Sequence, residues 1–199
     1  MVNPGQSKPI SLCDQNNSPI PKHDIPQTLN SSFCFVFTQE PAGDLPEFPY
    51  SDHPAMRDIV FNSNGVLKAI EALKLRSSAG VDGINSKILK NTKSATSVLL
   101  SHIFQQSLSS GVVPLDWKVG KIVPIPKKGP PTSSSSYRPI SITSVSSKLM
   151  KHIIYSHVIN FLVSVNFFHP SQHGFLKGFS CETQLALFTN DLSSSADHN

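Results

Sequence analysis

Apolar residues fall into two kinds of pattern along this chain, and the change between them marks its organisation. From Gly65 to Arg76, Val66, Leu67, Ile70, Leu73 and Leu75 alternate with Lys68, Glu71 and Lys74, which predicts an amphipathic helix of about three turns. Ser94 to Ser109 repeats the pattern with Val98, Leu99, Ile103, Phe104 and Leu108 as its apolar face, and Gly111 supplies a stop. The pattern then changes. Two apolar runs, Val119 to Ile125 and Tyr137 to Thr143, are joined by a loop of Gly, Pro and Ser, the signature of a hairpin with a long mobile tip. Helical spacing returns after Ser144, a good N-cap residue. Val145, Leu149, Met150, Ile153, Ile154, Val158, Phe161, Leu162 and Val165 trace one face over about six turns. After a glycine-bearing loop, Leu185, Leu187, Phe188 and Leu192 predict a last helix from Cys181 to about Ser193.

Shorter signals fill in the rest. Gly80-Val81-Asp82-Gly83 is a turn sequence whose acid suits a cap or an acceptor of backbone N–H groups, and Asn85 caps a short helix through Leu89. Residues 1–60 are rich in proline and acid, with few apolar clusters. They are expected to be largely disordered apart from a short apolar segment near 31–38, and residues 61–199 are expected to fold. The fold class implied is α+β, mostly helical, with one basic β-hairpin.

Charge sharpens this picture. The net charge is +4, but residues 1–60 hold seven acids and three bases, whereas residues 117–181 hold no acid at all. That window carries Lys118, Lys121, Lys127, Lys128, Arg138, Lys148, Lys151 and Lys177. Uncompensated positive charge of this density favours a polyanion, and a basic hairpin tip suits a clamp over phosphate. A solvated basic face is the plainer alternative. Charged residues make up only 15% of the chain, and 31 serines take their place.

The same inventory excludes other classes. Cys13, Cys34 and Cys181 are odd in number and lack metal or disulfide spacing, which points to a reducing compartment. No apolar run reaches the roughly 18–20 residues of a membrane span, and the N-terminus lacks the regions of a signal peptide, so a cytoplasmic or nuclear protein is expected. His169, His173 and Cys181 provide no fourth zinc ligand and no usual spacing. There is no phosphate-binding glycine loop or dinucleotide signature. After Trp117 the only acids are Glu182, Asp191 and Asp197, on the last helix or its frayed end rather than on a rigid apolar strand. No residue is assigned as catalytic or as a metal ligand.

A set of short motifs, in order, resembles the N-terminal part of a reverse transcriptase from a non-LTR retrotransposon. They are Ser-Ala-Gly-Val-Asp-Gly-Ile at 78–84, Leu-Asp-Trp-Lys at 115–118, Val-Pro-Ile-Pro-Lys-Lys-Gly at 123–129, Tyr-Arg-Pro-Ile-Ser at 137–141, Ser-Ser-Lys-Leu-Met-Lys at 146–151 and Gln-His-Gly-Phe-Leu-Lys-Gly at 172–178. Ser-Phe-Cys-Phe-Val-Phe-Thr at 32–38 is similar to the segment such proteins carry before the polymerase fingers. The resemblance covers roughly 31–199 and implies that 61–199 is a partial reverse transcriptase domain, with fingers and the start of a palm. It further implies that Lys127 or Lys128 contacts the phosphates of an incoming deoxynucleotide triphosphate and that Arg138 braces them, with Lys118, Lys121, Lys148, Lys151 and Lys177 along nucleic acid. Two departures stand out. The family's Gly-Pro-Asp-Gly is here Gly80-Val81-Asp82-Gly83, and its Gly-Phe-Arg-Lys-Gly is Gly174-Phe175-Leu176-Lys177-Gly178, which removes a cationic contact that Lys177 only partly replaces.

Polymerase chemistry needs two metal ions about 3.5–4 Å apart on paired carboxylates. In the family these come from segments later than the last motif seen here. The expectation is therefore a truncated RNA-directed DNA polymerase without its catalytic aspartates, with Mg²⁺ expected only in the full-length enzyme. RNA template, DNA primer and deoxynucleotide triphosphate would be the full-length partners. The alternatives are a non-catalytic nucleic-acid-binding remnant and a chain that does not fold stably.

Overall fold

The computed structural model describes residues 10–14, 16–38, 43, 54–75, 77–129 and 131–197. The chain divides into two compact units, residues 1–48 with 61–150, and residues 49–60 with 151–199. The first holds, in chain order, α1 (Ile25–Cys34), α2 (Ser63–Ala72), α3 (Ser86–Asn91), α4 (Lys93–Ser110), α5 (Leu115–Lys118), β1 (Lys121–Pro126), β2 (Tyr137–Ile142) and the start of α6 (Val145–Ser164). The second holds the remainder of α6 and α7 (Cys181–Asp197). The architecture is α+β, with helices dominating and one two-stranded antiparallel sheet.

The helices of the first unit begin and end where short polar side chains and glycine allow. Asn62 caps α2 by accepting the Gly65 N–H at 2.8 Å, and Asn85 caps α3 by accepting the Ile88 N–H at 3.0 Å. Gly111 closes α4 in the left-handed conformation, with φ of 67°. Helix α2 packs on α4, and between them the two helices bury Val66 and Ile70, and Leu100 and Phe104. Phe104 is the centre of this cluster, edge-on to Phe61 at 5.3 Å and to Trp117 at 5.7 Å.

The buried face of α4 differs from the one its apolar residues predict. Val98, Leu99 and Leu108 are exposed, while Ser97, Ser101 and Ser107 are buried beside Leu100 and Phe104. The reason lies in the hydroxyls. Ser97 donates to the Ser94 carbonyl, Ser101 to Val98 at 2.7 Å and Ser107 to Val112 at 2.8 Å, so each is satisfied locally. A buried serine so bonded is small and carries no unpaired polar atom, which lets α2 approach closely.

The hairpin pairs Lys121 with Ile142 through Pro126 with Tyr137. Lys127 N–H donates to the Ser136 carbonyl at 2.7 Å, continuing the ladder by one residue. Positions of odd number in β1 therefore turn their backbone groups towards β2, and those of even number turn them outwards. Pro124, Pro126 and Pro139 all occupy outward positions, so none removes a ladder bond. Side chains divide the same way. One face carries Lys121, Val123 and Ile125 with Ile142, Ile140 and Arg138; the other carries Ile122, Pro124 and Pro126 with Ser141, Pro139 and Tyr137.

The N-terminal region departs from its expectation as linker. Over residues 10–38 it forms a turn and α1, and Leu12, Ile25 and Leu29 make a buried cluster with Tyr137 of β2, joined by Ile10, Ile20 and Phe33. An extended turn at Asp14, which accepts the Asn16 and Ser18 N–H groups, returns the chain so that Leu12 and Ile25 meet the same ring. The apolar segment expected near 31–38 is helical only to Cys34, and Phe35, Val36 and Phe37 beyond it are exposed. The expectation of disorder for residues 1–9, 39–42 and 44–53 lies outside the described residues.

In the second unit, the later part of α6 shows its apolar stripe half-buried, and Tyr155 and Val163 are exposed. The following loop turns through left-handed Asn166, Phe175 and Gly178. His173, buried, shares a hydrogen bond of 2.8 Å with the Thr183 hydroxyl and meets the Phe179 ring edge-on. Ser180 and Thr183 cap α7 reciprocally, each backbone N–H donating to the other's hydroxyl. Leu185, Phe188 and Leu192 on α7 are exposed. Among the described residues no helix is long and apolar enough to cross a membrane.

Candidate nucleic-acid interface

The register of the hairpin decides which cations act together. Arg138 stands opposite Ile125, one ladder step from the Lys127–Ser136 pair, so Arg138 and Lys127 are diagonal neighbours on a single face. Lys121 lies on that same face at the far end of β1, and Lys118 ends the short α5 just before it. All four are exposed. Between them the face is lined by Val123, Ile125 and Ile140, the last two nearly half exposed. The result is an apolar floor with cations at both ends.

The tip is more ordered than a mobile loop would be. Lys127 Nζ donates to the Ser135 carbonyl at 2.9 Å across the loop, and Ser134–Ser136 forms a single 3-10 turn started by the Ser133 hydroxyl. Gly129, with φ of 119°, allows the reversal just after Lys128. Lys127 retains two of its three ammonium protons for an external acceptor while held this way. Among the described residues nothing engages the Arg138 guanidinium, whose fork suits a phosphate or carboxylate.

Among the described residues no ion pair engages this face. Among the described residues the ion pairs are Lys93 with Glu71, and His23 with Asp24 when the imidazole is protonated, and neither involves the hairpin. The Lys93 ammonium, by hydrogen bond and by charge, holds the Glu71 carboxyl below its ordinary pKa. The Ser180 hydroxyl does the same for Glu182, assisted by that residue's own backbone N–H at the start of α7.

The remaining predicted contacts are dispersed. Lys148 and Lys151 are exposed on α6, Lys148 in the first unit and Lys151 in the second, and Lys177 is exposed in the loop before α7. The structure thus brings together Lys118, Lys121, Lys127 and Arg138, with Lys128 at the adjoining bend.

Gly80 is a supporting residue that composition and charge do not single out. A Cβ there would stand 2.7 Å from the Ser144 nitrogen and 2.9 Å from its Cα. The Gly80–Ile84 turn, with Asp82 accepting the Ile84 N–H and Gly83 at φ of 69°, therefore abuts the junction between β2 and α6. Its signal in the sequence is the paired glycine of the turn, only one of which the turn itself requires.

Glu182 and Asp191, both on α7, do not form a metal site. Glu182 is drawn to Ser180, and Asp191 follows nine positions later on the same helix. Among the described residues no three acid, histidine or cysteine side chains converge as a metal site would require.

No protein-family model matches the chain. Two proteins of Drosophila melanogaster are similar to it. One is described as a probable RNA-directed DNA polymerase from transposon BS; it is 30% identical over 133 residues, which is 66% of this chain and 15% of that protein. The other is a putative 115 kDa protein in the type-1 retrotransposable element R1DM, 34% identical over 92 residues, 45% of this chain and 9% of that protein. The chain thus spans only a small part of the length of either relative.

Proposed function

We propose, from the premise that this chain is a relative of non-LTR retrotransposon reverse transcriptases, that it carries the phosphate-contacting fingers of an RNA-directed DNA polymerase. The observation that carries the reading is the single hairpin face on which Lys121, Lys127 and Arg138 stand without an acidic partner among the described residues. In the whole polymerase this face would meet the triphosphate of an incoming nucleotide and the adjoining template, with RNA template and DNA primer as its polymeric partners. Arg138 supplies a fixed two-pronged donor and Lys127 a mobile point charge, so the first orients a phosphate and the second follows it.

Among the described residues no three acid, histidine or cysteine side chains converge as a metal site would require, and no chemical step is assigned to them. This chain's contribution is to bind, orient and neutralise phosphate, which is the electrostatic share of a phosphoryl-transfer site. By itself it acts as a nucleic-acid-binding module.

The test is binding of a 20-nucleotide oligouridylate as a function of salt. Contacts from the five cations at the hairpin and α5 give a slope of about −3.5 in log affinity against log salt, or about a hundredfold loss between 50 and 200 mM. Replacing Lys127, Lys128 and Arg138 together with alanine flattens that slope by about 2. Binding that ignores salt, or no binding at low salt, would refute the reading. A primer-extension assay with Mg²⁺ separates module from enzyme: the module alone incorporates no nucleotide.

A further inference from the structure

We propose that the N-terminal segment, residues 10–34, is a brace that holds the basic tip of the hairpin in a fixed shape, with Tyr137 and Leu29 as its positioning residues. Its consequence for binding rests on the reading of the hairpin as a phosphate-contacting face.

The two faces of the hairpin are used differently. The cationic face is open, whereas on the other face Tyr137, at the tip end, is buried against Leu12, Ile25 and Leu29 while Ile122, Pro139 and Ser141 stay exposed. Tyr137 is the hinge of this arrangement because it works at both ends. Its ring is buried in the N-terminal cluster, and its hydroxyl donates to the Pro131 carbonyl in the tip at 3.1 Å. A second strut is independent of the ring. The Cys13 backbone N–H donates to the Thr132 carbonyl at 2.8 Å, and this anchor stands in the turn that also pairs Cys13 with Pro19. Two adjacent tip carbonyls are thus held by groups that belong to, or are buried with, the N-terminal segment.

A brace is physically needed here. An isolated two-stranded hairpin is at best marginal in water, and this one has three prolines and a long connection. Left alone, its tip would sample many shapes and would have to be ordered by each ligand it met. Held from behind, Lys127 and Arg138 keep a constant spacing before any phosphate arrives. The seam is not filled, however. A cavity of about 340 Å³ lies between α1 and β1, with Leu29, Phe33, Ile122 and Pro124 on its walls.

The experiment is amide hydrogen exchange on the whole chain, read alongside oligouridylate affinity, for wild type, Tyr137→Phe and Leu29→Ser. Tyr137→Phe keeps the ring and removes only the strut to Pro131; Leu29→Ser weakens the cluster, and Leu29→Met should restore it. The expected result is at least a tenfold loss of protection at the Cys13, Lys127 and Ser136 amides with the Phe104 amide of α4 unchanged. Affinity should fall roughly tenfold with the salt slope preserved, because the same cations still make the contacts. Should Leu29→Ser also expose the Phe104 amide, it has unfolded the unit, and Tyr137→Phe decides. Unchanged protection at the tip in Tyr137→Phe would overturn the brace, and lost protection with unchanged affinity would overturn its role in positioning. If the wild type binds no oligouridylate at all, the reading of the hairpin as an interface fails, and the exchange result still decides whether the segment braces the tip.

Discussion

At the scale of single residues, function and support separate cleanly. Arg138 and Lys127 were legible as candidates because cations without nearby acids are visible in any reading of charge. Gly80 was not, since a close approach between residues 64 positions apart leaves no mark on composition. Gly80→Ala must push the Thr143–Ser144 backbone away, and we expect it to cost about 1–3 kcal/mol in a urea melt. Gly83→Ala meets nothing in space and carries only the strain of a left-handed residue, so it should cost less. Glu71 makes a separate prediction. Its carboxyl is held low by Lys93, so the contribution of the pair is complete above the ordinary carboxylate range and is lost as pH falls through the lowered value. The melting temperatures of wild type and Lys93→Met should therefore differ at pH 7 and converge once acidification has passed through the lowered carboxyl value.

Among elements, the strands, most helix ends and the buried apolar positions of α2 and the start of α6 were readable, and the buried face of α4 was not. The hairpin announced itself through two apolar runs separated by Gly, Pro and Ser, and Asn85 and Gly111 end or begin helices as their chemistry requires. Helix α4 shows where apolar counting fails. Its buried serines satisfy their hydroxyls on nearby carbonyls and pack inwards, and Val98, Leu99 and Leu108 are left outside. The two faces give opposite outcomes on mutation. Leu99→Lys should change stability by no more than about 0.5 kcal/mol, whereas Leu100→Ala, one position on, should cost about 2–5 kcal/mol in the same denaturant titration. Helix α1 was missed for a related reason. Its useful residues, Ile25, Leu29 and Phe33, recur only every fourth position in a proline-rich stretch, and their partner, Tyr137, is more than a hundred residues away. The one local signal was Pro26 in the first turn, where proline favours a helix start.

For the whole molecule, the unequal distribution of charge proved more informative than its sum. A net +4 on 199 residues is unremarkable, but the acid-free window coincides with the hairpin and α6, while Asp14 and Asp82 hold turns and Glu71 pairs with Lys93. The surface also carries much apolar area, including Ile125 and Ile140 on an uncovered ribbon. Such a ribbon would ordinarily invite a neighbouring molecule to add a strand, and from there a growing stack. Here two of the three outward positions of β1 and the middle one of β2 are proline, so a third strand finds an interrupted row of donors to meet. Replacing Pro124, Pro126 and Pro139 with valine should keep the fold yet raise light scattering and thioflavin uptake on standing above those of the wild type. The prolines that leave the ladder intact within one copy thus keep separate copies from becoming a fibre.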